Sequence, residues 1–208
     1  MKNHIAEGQQ WLGRFVASNV SAPATDRATA LFGIGILARR QGDNKKAETA
    51  LQESLALYRE SRHQFGIGQS LHHLAHIADD HSADSEKAVG LFEESLAAFR
   101  EGADKWGLAA SYVCLGETLQ HRGDHDRALP ILRESLRLSR DVGDRWLATY
   151  PTRILGIVAA NQGDYDAATA LLEECLAIER EIGDRYAAAQ SLSTLAYVAH
   201  RQRTTNIR

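Results

Sequence analysis

Between Arg127 and Arg140 the apolar residues Ala128, Leu129, Ile131, Leu132, Leu136 and Leu138 recur at helical spacing. Arg127, Arg133, Glu134, Arg137 and Arg140 occupy the rest. A stripe of this width predicts an amphipathic α-helix with one face in a core. The pattern stops at Gly143-Asp144. A glycine just past a helix takes the left-handed conformation at little cost, and an aspartate can accept the first backbone N–H groups of the next helix. The same stop stands at Gly183-Asp184, and once as Ala103-Asp104. Proline is scarce and no alternation of β-branched and polar residues persists, so the chain is predicted to be all-α.

That stripe is one copy of several. Around Gly42-Asp43, Ala83-Asp84, Gly123-Asp124 and Gly163-Asp164 the pattern restarts, at spacings of 41, 40 and 40 residues. Five residues after each restart stands Ala47, Ala88, Ala128 or Ala168. Twelve residues after it stands Ser54, Ser95, Ser135 or Cys175, each between Glu and Leu. A period of this size predicts stacked helix pairs, each touching only its neighbours. After the stop, a helix opens with Gln64-Phe65, Lys105-Trp106, Arg145-Trp146 or Arg185-Tyr186. Its aromatic is expected to wedge into the core between consecutive units. Further on come Ile34-Gly35, Leu74-Ala75, Leu115-Gly116, Leu155-Gly156 and Leu195-Ala196, whose small residue marks a close helix approach. Pro130 and Pro151 lie past the first turn of their helices. A bend at Pro151, or a helix that starts later than its siblings, is expected. Residues 19–25 read as a polar loop and residues 203–208 as a frayed tail.

Leu115-Gly116, Gly123-Asp124, Ala128 and Ser135 in one unit, and Leu155-Gly156, Gly163-Asp164, Ala168 and Cys175 in the next, resemble the tetratricopeptide repeat of the long, 40-residue kind. The likeness covers about residues 26–200. It implies a single repeat domain over 1–208, a right-handed superhelical array of antiparallel helix pairs with about ten helices. Within it fall a helix at 3–18, repeats at about 25–61, 64–101, 105–141 and 145–181, and a terminal helix at 185–202. Both ends of the seam are then open. This is expected of a segment cut from a longer chain, or of a homo-oligomer that pairs through helices 3–18 and 185–202. Stretches such as LLEECLAIEREIGDRYAAAQSLSTLAYVAHRQ are also similar to the repeat region of MalT-like and LuxR-type bacterial regulators and other signalling ATPases. The chain carries neither a G-x-x-x-x-G-K-[ST] phosphate loop nor a recognisable helix-turn-helix. The resemblance implies a non-enzymatic interaction scaffold with a regulatory or sensor role.

The resemblance also implies that the first helix of each pair lines a concave groove holding a protein or peptide segment. In register the lining is Thr29, Phe32, Ile36, Arg39 and Arg40, then Gln69, His72, His76, Asp79 and Asp80. Next come Ala110, Val113, Glu117, Gln120 and His121, then Tyr150, Arg153, Ile157 and Asn161, and last Gln190, Ser193, Tyr197, His200 and Arg201. The partner-binding candidates among them are Phe32, Arg39, Gln69, His72, His76, Asp79, Glu117, Gln120, Tyr150, Arg153, Asn161, Tyr197 and Arg201. Mixed charge signs suit a peptide better than a nucleic-acid backbone, which wants one positive stripe. Related arrays often place an asparagine before the Leu-Gly pair to hold a peptide backbone. Here those places are Gly33, His73, Cys114, Ile154 and Thr194, which favours a small-molecule effector or a helix-binding mode.

His63, His72, His73, His76 and His81 crowd residues 63–81. His72 and His76, four apart, share a helix face, and with Asp80 they form a weak candidate set for zinc or nickel. The alternatives are a polar groove wall whose histidines are solvated, or a pH-sensitive patch. The HHxxH spacing lacks the glutamate of a metalloprotease. No catalytic residue, cofactor or firm metal site is predicted. Arg122-Gly123-Asp124 is read as a repeat turn, and Glu93-Glu94 and Glu173-Glu174 as solvated faces, because they recur in register. At 208 residues, 44% of them hydrophobic, the chain can bury a substantial seam. A net charge of −3 predicts no general attraction to nucleic acid or acidic membranes. Cys114 and Cys175 are far apart and read as structural thiols in a reducing compartment. The N-terminus does not read as a signal peptide and no apolar run approaches the ~20 residues of a membrane span. A soluble, cytoplasmic protein is expected.

Overall fold

The computed structural model describes residues 2–18, 21–80 and 85–206, without the side chains of Lys2, Asn3, His4, Ala6, Asp80, Thr205 and Asn206. The Ala83-Asp84 turn, His81 and the Asp80 carboxylate therefore lie outside the described residues. Among the described residues there are ten helices and no strand. They are α1 (Lys2–Ser18), α2 (Ala24–Arg40), α3 (Asn44–Glu60), α4 (Gln64–Asp80), α5 (Ser85–Glu101), α6 (Lys105–His121), α7 (His125–Asp141), α8 (Arg145–Asn161), α9 (Tyr165–Ile182) and α10 (Arg185–Asn206). The chain divides into two compact units, Met1–Gly107 and Leu108–Arg208. In the first, α1 packs on α2, α2 on α3, α3 on α4 and α4 on α5, and α2 also meets α4. In the second, α7 packs on α8, α8 on α9 and α9 on α10, and α8 also meets α10. The fold is an all-α array of helix pairs, and its short loops make consecutive helices antiparallel neighbours.

One junction repeats along the array. After α2, the Asp43 N–H donates to the Ala38 carbonyl at 3.0 Å and the Gly42 N–H to the Arg39 carbonyl at 2.9 Å. That is the Schellman arrangement, with Gly42 at φ +79°. Asp43 then accepts the Lys46 N–H at 3.1 Å, so one residue ends one helix and caps the next. Asp124, Asp144, Asp164 and Asp184 do the same. After α3 the imidazole of His63 stands in, accepting the Gly66 N–H at 3.1 Å. Arg62 (φ +52°) and Ala103 (φ +53°) occupy the left-handed position without being glycine.

Inside each pair the helices touch closely. A Cβ added at Gly35 would meet the Leu51 side chain at 2.6 Å, and one at Gly116 would meet Leu132 at the same distance. The recurring small polar residue has an equally physical cause. The hydroxyls of Ser54, Ser95 and Ser135 donate to the carbonyls of Ala28, Gly68 and Ala109 at 2.8, 2.9 and 2.8 Å, and the Cys175 thiol reaches Thr149 at 3.3 Å. All four side chains are fully buried. Each of these four polar groups is satisfied by a carbonyl of the preceding helix. Neither cysteine is in a disulfide, and burial pushes the Cys175 thiol up to about 12.

Four expectations need correction. The aromatics at the helix starts are not wedged in the core: Phe65, Trp106, Trp146 and Tyr186 are 52, 44, 41 and 77% exposed. The second helical residue is exposed instead. The buried register is the next residue, and the wedge comes from the preceding helix: Tyr58 lies against Gly66, and Phe99 against Gly68 and Gly107. Nor does α8 start late. It begins at Arg145 under its Asp144 cap and runs through Pro151, as α7 runs through Pro130. Around Pro151, the Thr149 and Thr152 hydroxyls donate to the carbonyls of Trp146 and Ala148, both at 2.7 Å. Ala24 and Thr25 belong to α2 rather than to the loop. Helix α10 continues to Asn206, past the expected fraying point, because no glycine or proline interrupts it.

The two non-glycine left-handed residues give a direct check. Replacing Ala103 or Arg62 by glycine should raise the unfolding free energy by about 1 kcal/mol, since the side chain pays the left-handed penalty. Urea denaturation reads it; a lowered midpoint would contradict the strain.

Candidate functional site

In both units the first helices of successive pairs approach at backbone level, α2 to α4 and α8 to α10. The second helices are bridged by extended ion pairs instead. Arg59–Glu94 at 3.0 Å and Lys87–Glu48 at 3.3 Å join α3 to α5, and Arg140–Glu174 at 2.9 Å joins α7 to α9. The candidate site is therefore sought on the first-helix face of each unit.

In the second unit that face opens into a cavity of about 330 Å3 lined by Glu117, Arg153, Ile157, Gln190, Ser193 and Thr194. Three first helices, α6, α8 and α10, supply the lining. Arg153 is its fixed point. It donates to the Gln190 side chain at 2.5 Å and lies 5.5 Å from the centre of the Tyr150 ring. Tyr150 in turn meets Trp146 edge-on at 4.9 Å, and the Trp146 indole donates to Asp184 at 3.2 Å. Burial raises the Tyr150 phenol above its usual range, partly opposed by the nearby Arg153 charge. Tyr197 and Arg201 form their own pair, with an Arg201 N–H on the Tyr197 oxygen at 2.8 Å. Gln120 is half-buried and Asn161 is exposed.

A larger cavity of about 420 Å3 lies between α7, α8 and α9, lined among others by Ser139, Ala148 and Ile178. Its arginines are already committed, Arg140 to Glu174 and Arg145 to Glu181 at 2.7 Å. The smaller cavity is the better candidate, because it alone of the two lies on the first-helix face, lined by α6, α8 and α10.

In the first unit the face is aromatic and basic. Phe32 on α2 meets His73 at 5.4 Å, and His72 and His76 each meet the other at 4.8 Å. Both also meet Phe92, a buried residue of α5, at 5.6 and 5.5 Å. Arg39 Nε and His73 Nδ1 are buried and lack a hydrogen-bond partner. Gln69 and Asp79 are half-buried on the same helix as the histidines. Burial holds His73 down at about 3, helped by His76, Arg39 and Arg40, and lowers His72 well below its ordinary value.

The structure thus gathers Glu117 and Arg153 in one cavity with Tyr150 beside it, and Phe32, His72 and His76 in one cluster. The sequence reading missed Phe92, which reaches the histidines from a neighbouring helix. It also missed Glu179, 1% exposed with neither carboxylate oxygen hydrogen-bonded. Its signal was available: Glu179 takes the register held by Tyr58, Phe99 and Ser139.

A helical repeat array with an open polar face is the class that these features define. Tetratricopeptide repeat family models match residues 26–101, and residues 108–142 and 154–185. The chain belongs to the tetratricopeptide repeat family, whose fold is an interaction scaffold. No curated protein matches it. Among solved structures, BtubC (BKLC) from P. vanneervenii is similar at TM-score 0.77 and 19% identity, over 96% of this chain and 82% of that one. A signal transduction ATPase with numerous domains, carrying a tetratricopeptide repeat sensor, from Pyrococcus horikoshii aligns at TM-score 0.74 and 12% identity, over 85% of this chain and 28% of that one. The quorum sensor NprR from B. thuringiensis aligns at TM-score 0.71 and 16% identity, over 98% and 56%. At these identities the likeness is one of fold. No helix among the described residues is long and apolar enough to cross a membrane.

The depressed histidines predict acid sensitivity. In the unfolded chain both titrate near the ordinary 6.5, while in the fold they stay neutral to much lower pH. The unfolded state therefore binds more protons below pH 6.5. For His73 that stabilisation is complete above that pH and is lost as pH falls toward 3, at about 1.4 kcal/mol per pH unit, and His72 acts in the same direction. Urea denaturation of His73→Asn between pH 7 and pH 4 should show a shallower loss than the parent; parallel curves would contradict it.

Proposed function

We propose that this chain is a non-enzymatic scaffold that holds a protein or peptide segment along its first-helix face. In this reading it serves as the sensor or regulatory part of a bacterial transcriptional regulator or signalling ATPase of the MalT-like or LuxR-type kind. The observation that carries the binding reading is the cavity where Arg153, Gln190 and Glu117 converge from three helices. Arg153 presents donors, Glu117 presents acceptors, and Ile157 supplies an apolar contact. That combination suits the alternating polar and apolar groups of a peptide. On the first unit, the unpartnered Arg39 Nε and His73 Nδ1 suit a carbonyl or carboxylate acceptor. The sensor reading draws on the similar structures described as a tetratricopeptide repeat sensor and a quorum sensor.

A small-molecule effector is the second reading, favoured by the size of that cavity, about 330 Å3. A thermal-shift screen against metabolites separates it from the first.

For the leading reading, peptides selected on the immobilised chain by display should bind Arg153→Glu at least tenfold more weakly, because a charge-assisted contact is worth about 1.5–3 kcal/mol. The circular dichroism melt should be nearly unchanged, since the side chain lines a cavity rather than the seam. Unaltered affinity would refute the assignment of this face.

A further inference from the structure

The histidines of α4 do more than crowd one face. The Nε2 atoms of His72 and His76 point at each other, 3.2 Å apart. We propose that His72 and His76 form a chelating pair for a divalent transition-metal ion of the zinc, nickel or copper group. Two observations support the pair.

The first is distance. Two nitrogens bound at about 2.0–2.1 Å to a tetrahedral ion stand roughly 3.3–3.4 Å apart. The pair is already within about 0.2 Å of that separation, so an ion can replace the shared proton with little ring movement. The second is restraint. Phe92 meets both imidazoles edge-on, and His73 meets His72 at 5.3 Å and His76 at 6.2 Å. Such neighbours fix the χ angles that a free pair on a helix surface would have to order on binding.

The surroundings also set the selectivity. Arg39 acts on His72 and His73, and Arg40 on His73, and both oppose any cation. Binding must then rest on coordinate bonds from imidazole nitrogen, which favour zinc, nickel and copper over magnesium or calcium. Two protein ligands leave further positions for water or for a donor atom of a bound segment. The inference is independent of the binding role given to the Arg153 cavity in the other unit.

Calorimetric titration of the full chain, free of any affinity tag, with zinc, nickel and copper ions tests it. One ion should bind per chain, with no heat for magnesium. His72→Asn and His76→Asn should each weaken binding at least tenfold. Copper-induced broadening of the ring signals of His72 and His76 reads the same contact without relying on the variants' stability. No binding by the parent chain would overturn the proposal. So would equal binding in the His72→Asn/His76→Asn double variant, which keeps the other histidines.

Discussion

Everything in this array depends on how closely the two helices of a pair can approach. Where the first helix carries Gly35 or Gly116, the leucine of the second helix occupies the space a Cβ would need, and at Gly156 Leu172 leaves it only a tight fit. At that distance a water molecule cannot enter the seam, and a polar group facing it must find a protein partner. The serine hydroxyls and the Cys175 thiol do so on carbonyls of the facing helix. Close approach and buried hydrogen bond are thus two sides of one constraint, repeated at the period of the sequence.

The junctions follow from the same economy. A left-handed residue reverses the chain in three residues, and the aspartate after it serves both helices. Loops this short leave little freedom for function, so specificity has to come from side chains on the helix faces. Those faces are where the copies diverge. One unit carries half-buried imidazoles beside an arginine, and the other carries an arginine held between Tyr150 and Gln190.

How much of this could be read from the residues alone varies with the physics involved. The helix pairs, capping aspartates and small residues were legible because each rests on local spacing or local backbone conformation. The pairing of His72 with His76 was legible too, being four residues along one helix. Phe92 was not, because its contact depends on how α5 lies on α4. The aromatic column was misread for a related reason: Phe65 and Trp146 stand one residue before the buried register. A one-residue offset in a helix turns a side chain by about a quarter of a turn, from seam to surface. Arg153 was legible as a groove residue, but its bond to Gln190 spans 37 positions and has no local signature.

The account therefore separates periodic residues, which hold the array, from aperiodic ones, which give each unit its chemistry. Its structural half stands or falls on the close approach. The urea midpoint of Gly116→Val tests that most directly, because the added methyls would enter space held by Leu132. The account predicts a loss of about 2 kcal/mol or more, of the order expected for overpacking in a closed core. A midpoint equal to that of the parent chain would contradict it.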